Sequence, residues 1–259
     1  MCTTKEAYFR ESKISLRNKE VLLNYESVMQ SGYDYRDWPV IKSTNEDWGI
    51  EMMEWGFIPI YVRTREEVNK FRRGYTDERG KFHIPLTTLN AKGEELLLPN
   101  KMFRNATLER RCLFVLTGFY EWRHVPQIGK KGQVLKATSK YPYHLKVKGE
   151  PYFFIAGIYQ PFKDFNTGEI KETAASVTTA ANSLMEQVHN SKKRQPTILP
   201  KELAEEWISD GLTEQRITEI ATYQLPSDQL DAYTINRDYK KAEDPREPVA
   251  YPELPALQL

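Results

Sequence analysis

A chain of 259 residues with 40% hydrophobic and 28% charged side chains has ordinary globular composition, sized for one large domain or two small ones. Its formal net charge of +1 excludes a protein held on nucleic acid by bulk charge and leaves room for a local basic groove only. Two cysteines and four dispersed histidines make neither a disulfide framework nor a metal-ligand spacing, so no metal and no cofactor are expected.

The first residues contain no apolar run, so no secretory leader is expected. Cys2 follows the initiator Met1 and is small enough for the methionine to be removed. Removal leaves an α-amine and a thiol on neighbouring carbons. Their reference pKa values, about 7.7–8.0 and about 8.5, keep some of each as free base near neutral pH. The amine condenses with an aldehyde to an imine, and the thiol then closes a five-membered thiazolidine. The same thiol can attack a peptide carbonyl. The bland reading is a frayed terminus without a role.

Residues 50–60 read as a strand ending at Pro59, which cannot donate to a ladder. Residues 63–81, dense in Arg, Lys and Glu, read as a surface helix and loop. Residues 111–122 read as a buried strand turning at Gly118, with Cys112 as a buried strand cysteine. Residues 130–140 suit a hairpin loop, and 143–148 and 152–159 read as strands. Residues 176–179 read as a short strand and 182–188 as a helix. Pro200 opens a helix with Leu203, Ala204, Trp207 and Ile208 on one stripe, ending near Gly211, and 213–223 form a second amphipathic helix. From Glu243 the tail holds four prolines and reads as extended. With no repeat and no long linker, the expected architecture is a single α+β domain over 1–240 with an extended tail over 241–259. No apolar stretch approaches a membrane span, so a cytoplasmic protein without a membrane partner is expected.

Four segments besides the terminus carry chemistry: 89–94 around Asn90, 118–122 around Glu121, 178–182, and 188–196 beginning at His189. Taken alone, Asn90 suits a turn and His189 a helix C-terminal cap. Glu121 is a carboxylate among three aromatics, or a strand-end side chain facing solvent.

Taken in order, seven segments resemble one family. They are Met-Cys at the start, Trp-Gly-Phe-Ile-Pro (55–59), Asn-Ala-Lys (90–92), Gly-Phe-Tyr-Glu-Trp (118–122), Ala-Gly-Ile-Tyr (156–159), Thr-Thr-Ala-Ala-Asn (178–182), and His189 followed by Pro-Thr-Ile-Leu (196–199). The set is similar to the SRAP family, the SOS response-associated peptidases or abasic site processing proteins. The resemblance runs from residue 2 to about residue 210. It implies a mixed, mostly antiparallel β-barrel-like core flanked by helices. It also implies single-stranded DNA containing abasic sites as partner, captured as a thiazolidine crosslink on Cys2. By matching motifs, Cys2 is the nucleophile and Asn90 orients the amine or sugar. Glu121 handles protons, its aromatic setting raising its pKa by desolvation, and His189 acts as acid or base near the sugar. Self-processing to expose the cysteine and weak AP-lyase activity through the imine are implied as well. Lys92, Lys101 and Arg104 are the expected phosphate contacts, and Trp55 and Phe103 the expected stacking surfaces. A monomer that associates with the nucleoid when bound to damaged DNA is expected.

The chain departs from the family pattern at Thr3 and Thr4 (usually Gly-Arg), at Lys92 (usually Arg), at Glu95 (usually Thr) and in the longer loop after His189. Two other readings stay open. A cysteine peptidase would use Cys2 with His189 and Glu121 on peptides. A non-covalent single-stranded DNA-binding module would bind without Cys2 and weaken steeply with salt.

Overall fold

In the computed structural model, residues 16–17, 29–43 and 48–258 are described. In chain order they form β1 (Leu16–Arg17), β2 (Asp37–Ser43), β3 (Trp48–Trp55), α1 (Arg65–Arg73), and the small hairpin β4 (Tyr75–Thr76) and β5 (Phe82–His83). Next come β6 (Asn90–Lys92), α2 (Arg104–Glu109), β7 (Arg111–Leu116), the long hairpin β8 (Phe119–Ile128) and β9 (Val134–Val147), β10 (Phe153–Lys163) and β11 (Ile170–Ala180). The remainder is α3 (Ser183–Val188), β12 (Arg194–Pro196), β13 (Ile198–Leu199), α4 (Lys201–Trp207), α5 (Glu214–Ala221) and β14 (Leu230–Thr234).

Antiparallel ladders join β3 to β2, β2 to β7, β7 to β10, and β10 to β11. β11 then returns to β3 in parallel, Thr173 opposite Glu54 and Ala174 opposite Trp55. That last pairing closes a five-stranded barrel, and the mixed, mostly antiparallel α+β architecture expected from the sequence is what the chain adopts. A second sheet of β8, β9 and β14 packs beside it.

Alternation along β7 separates two cores. Leu113 and Val115 pack with Trp207 of α4 and Ile217 and Ile220 of α5. Cys112 and Phe114 pack with Val40, Met53, Ala174 and, from β9, Tyr143 and Leu145. Both faces are covered, which is why the strand reads as a continuous apolar run. Burial pushes the Cys112 thiol far above its ordinary range, so it is inert. α3 and α5 begin at polar caps, with Asn182 Oδ1 accepting from Met185 N at 2.9 Å and Thr213 Oγ1 from Arg216 N at 3.2 Å.

Three expectations differ from the fold. The charged stretch after residue 63 forms the expected helix to Arg73, but beyond Gly74 the expected loop carries the β4–β5 hairpin. The 130–140 loop shrinks to a turn closed by Gly129 N donating to Gln133 O, because the β8 ladder recruits Val134 onward as strand. The proline-rich tail is docked: Tyr251, Leu254 and Leu257 pack on the core that contains Phe114 and Leu145. Prolines remove ladder donors but leave these apolar side chains free to bury. No helix among the described residues is long and apolar enough to cross a membrane.

Candidate active site

The C-terminal half of β11 is flanked by two short strands. β6 runs parallel along one edge, placing Asn90 opposite Ser176 and Lys92 opposite Thr178. β12 runs antiparallel along the other, placing Pro196 opposite Thr178 and Arg194 opposite Ala180. The Asn90 segment and the return from His189 therefore meet at one end of the barrel.

Asn90 is oriented by Ser176, whose hydroxyl donates to Asn90 Oδ1 at 2.6 Å, leaving the Asn90 amide nitrogen as the donor end. The preceding carbonyl, Leu89 O, accepts from Trp55 Nε1 and from Ser176 N, each at 3.0 Å. Trp55 is thus a pin for β6, half-buried with its ring centroid 5.7 Å from Trp38 and 5.9 Å from Phe114.

His189 caps α3, its N–H donating to Met185 O at 2.7 Å. Its ring Nδ1 lies 2.9 Å from Arg194 O. A carbonyl only accepts, so Nδ1 carries the hydrogen and Nε2 holds the lone pair of the neutral ring. Burial lowers the His189 pKa; the Arg194 carbonyl opposes this, while Lys192 and His124 add to it. Glu121 Oε1 sits 3.6 Å from the same Nδ1. Burial raises Glu121 from 4.5 to about 7, against the Trp122 N–H and Lys192, which lower it. The contact has the spacing of a loose ion pair, yet burial disfavours charge on both partners. Near neutrality it is a carboxyl that is readily protonated beside a neutral imidazole. Such a pair can deliver a proton from one member and remove one with the other.

Arg194 also locks the surrounding strands. Its guanidinium forks onto Glu94 with two contacts of 2.8 Å, and Nη2 donates to Thr178 O at 2.6 Å. Glu94 additionally accepts from Ala180 N at 3.1 Å. Burial would raise its pKa, but the Arg194 hydrogen bonds prevail and hold it below the usual carboxylate range.

The residues expected on DNA fall into two groups. Lys92 and Lys101 are exposed and share one carboxylate, Glu95, at 2.9 and 2.7 Å. Lys101 and then Lys92 hold Glu95 at about 2. Arg104, Trp55 and Phe103 are engaged inside the fold. Arg104 donates to Leu97 O and to Glu214 at 2.6 Å, tying α2 to the start of α5. Phe103 packs edge-on against Phe57 at 5.1 Å. Cys2, with Thr3 and Thr4, lies outside the described residues.

The family model for SOS response associated peptidase (SRAP) matches residues 3–242. The chain belongs to the SRAP family. Among its relatives, the abasic site processing protein YoqW of Bacillus subtilis is 27% identical over 186 residues, covering 71% of this chain and 68% of that one. The abasic site processing protein YedK of Escherichia coli is 26% identical over 145 residues, covering 55% of this chain and 58% of that one. A crystal structure of a Bacteroides thetaiotaomicron protein superposes with a TM-score of 0.72 at 29% identity, covering 95% of this chain and 92% of that one. A Bordetella bronchiseptica protein at 18% identity and TM-score 0.61, covering 90% and 95%, shares the fold.

In this SRAP chain, two positioning residues escape sequence reasoning. Ser176 holds Asn90, and Asn190 clasps β8: its Oδ1 accepts from His124 N at 3.0 Å and its amide donates to His124 O at 2.8 Å. Among the described residues β8 is an edge strand, so Asn190 stands in for a neighbouring strand and fixes His189 relative to Glu121. The only sequence signal for Asn190 is its place directly after His189. The glycine of Gly-Phe-Tyr-Glu-Trp has a steric cause. A Cβ on Gly118 would lie 2.2 Å from His144 Nε2 and 3.0 Å from Leu145 O. Gly118→Ala is expected to destabilise by about 1–3 kcal/mol and to disturb the start of the Glu121 strand, read by urea unfolding. An unchanged midpoint would mean that His144 has room to move.

Proposed function

We propose that this SRAP protein captures abasic sites in single-stranded DNA as a covalent thiazolidine on Cys2. The Cys2 amine adds to the sugar aldehyde, and the resulting carbinolamine loses water to give an imine. That step needs an acid for the departing hydroxyl. Glu121, with its pKa near 7 and His189 alongside, is suited to supply the proton and take it back. The thiol then adds across the imine, its sulfur bonding to carbon and its proton passing to nitrogen, so one water is lost overall. Asn90, held by Ser176, presents an amide donor to the sugar or amine. The pairing of a near-neutral buried carboxyl with a neutral imidazole carries this reading, and the names of the relatives agree with it. The imine stage also allows β-elimination, so weak AP-lyase activity is part of the proposal; self-processing exposes the cysteine. The protein acts as a cytoplasmic monomer at the nucleoid.

The test is denaturing electrophoresis with an oligonucleotide bearing one abasic site, beside an undamaged strand and a Cys2→Ala variant. A heat-stable shifted band is expected only with the lesion and only with Cys2. Absence of the band from protein whose intact mass shows Met1 removed would refute the proposal. Turnover of peptides in its place would favour a cysteine peptidase, and lesion-independent binding by Cys2→Ala a non-covalent module.

Glu95 yields a second expectation. Exposed ion pairs are worth roughly 0–1 kcal/mol, so DNA phosphates can displace Glu95 from Lys92 and Lys101. Glu95→Gln removes the competitor. Affinity for undamaged single strands is expected to rise, with the salt slope steeper by about 0.7 for each phosphate newly neutralised. Fluorescence anisotropy across a salt series reads both. An affinity unchanged across the whole salt series would show that these lysines do not meet DNA.

A further inference from the structure

Glu121 and His189 lie on different elements, and one later segment of chain is fastened to both. On the α3 side, two residues before His189, Gln187 makes a two-bond clasp: its amide donates to Gln258 O at 2.6 Å, and its Oε1 accepts from Gln258 N at 2.8 Å. On the β8 side, two residues after Glu121, Arg123 Nη1 donates to Pro255 O at 2.5 Å. Between and around these points Tyr251, Leu254 and Leu257 bury against the core. Tyr251 donates its hydroxyl to Ile235 O at 2.9 Å, and Glu253 accepts from the Tyr141 hydroxyl at 3.0 Å. This segment lies past residue 242, where the SRAP match ends.

We propose that residues 251–258 are a strap that positions the Glu121 carboxyl against the His189 ring, with Gln187 and Arg123 as its two buckles. The need is physical. α3 has six residues, too few to be stable without tertiary support, and among the described residues β8 has no neighbouring strand on its outer edge. Leu184, Met185 and Val188 bury one face of α3 in the core, and the Asn190 clasp ties the helix end to β8 at one residue, His124. The strap adds a second and a third attachment. It keeps water out of a contact whose chemistry depends on burial. Among the described residues, the charged and titratable groups facing that contact are Lys192 from the turn after α3 and His124 from β8. Neither belongs to the strap, so loosening the strap changes the spacing and hydration of the pair without deleting a charge beside it.

The inference rests on the proposed roles of Glu121 and His189, and its test separates the two. Gln187→Leu removes the clasp at a partly exposed position. A second variant, Leu254→Ser with Leu257→Ser, lifts the strap and leaves Gln187 intact. Thermal unfolding checks that each folds. The first readout needs no DNA: carboxyl carbon NMR titration of Glu121, assigned by its absence in Glu121→Gln. The expected result in both variants is a fall of the Glu121 midpoint toward the ordinary carboxylate value as water enters. The second readout is the pH profile of capture on abasic DNA. The expected result is slowing of about tenfold or more, with the profile displaced toward lower pH. Folded variants with the parent titration and the parent profile would overturn the strap. If the parent protein captures no lesion, the functional reading fails, and the titration still decides the strap.

Discussion

Glu121→Gln is expected to slow aldehyde capture by about a hundredfold or more while making the protein more stable at pH 8 by about 3 kcal/mol. The two effects share one cause. The Glu121 side chain is about one-fifth exposed, and burial lifts its pKa from 4.5 to about 7. A folded-state pKa above the unfolded value means that folding favours the protonated form. The stability this contributes is complete below about pH 4.5 and is lost as pH rises through about 7. At pH 8 the fold therefore holds a carboxylate that it would rather see protonated. Gln keeps the shape and stays neutral. Urea unfolding at pH 5 and pH 8 reads the difference: parent and variant close together at the lower pH, the variant ahead at the higher. Equal gaps at both would show that Glu121 is not held protonated by the fold.

His144→Phe is expected to remove the opposite dependence. His144 is 4% exposed, between the rings of Tyr120 and Tyr233, and its Nδ1 is buried with no hydrogen-bond partner among the described residues. Burial, aided by Arg246 and Lys146 against Asp244, lowers its pKa from 6.5 to about 4. The neutral ring is the folded form, so stability present above about pH 6.5 is lost as pH falls toward 4, by about 3 kcal/mol. Phe cannot charge and brings no unpaired nitrogen, but its larger ring must fit against Gly118, so the variant is expected to lose far less stability than the parent between pH 7 and pH 4 whatever the packing costs at pH 7. Between about pH 4.5 and 6.5 the two groups pull in opposite directions. The parent curve is therefore shallow there, and each single variant exposes the slope of the other group. Parallel acid limbs in parent and His144→Phe would refute the assignment.

Much of the frame is legible in the sequence because it is local. The apolar runs of β7 and β10 and the caps of α3 and α5 are written in neighbouring residues. The barrel closure is not, since Thr173 meets Glu54 across more than a hundred residues and only two pairs make the contact. β14 is likewise not legible, a short segment that becomes strand by pairing with β9. In the site, the chemical types could be read: an N-terminal cysteine, an acid among aromatics, a histidine after an apolar helix. Their supports could not. Ser176 reaches Asn90 across 86 residues, Asn190 reaches His124 across 66, and Gln258 reaches Gln187 across 71. The same holds for charge. Arg104 reads as a free cation until Glu214 appears beside it, and Lys92 and Lys101 until Glu95 does.

Counting thiols on the DNA adduct tests the Cys2 chemistry most directly. The chain has two cysteines, Cys2 and the buried Cys112. Crosslinked protein is denatured, alkylated and weighed beside the free protein. Thiazolidine capture predicts two labels on the free protein and one on the adduct, located at Cys112. An adduct that accepts a label at both cysteines would place the bond on an imine or a lysine and contradict capture by the Cys2 amine and thiol together.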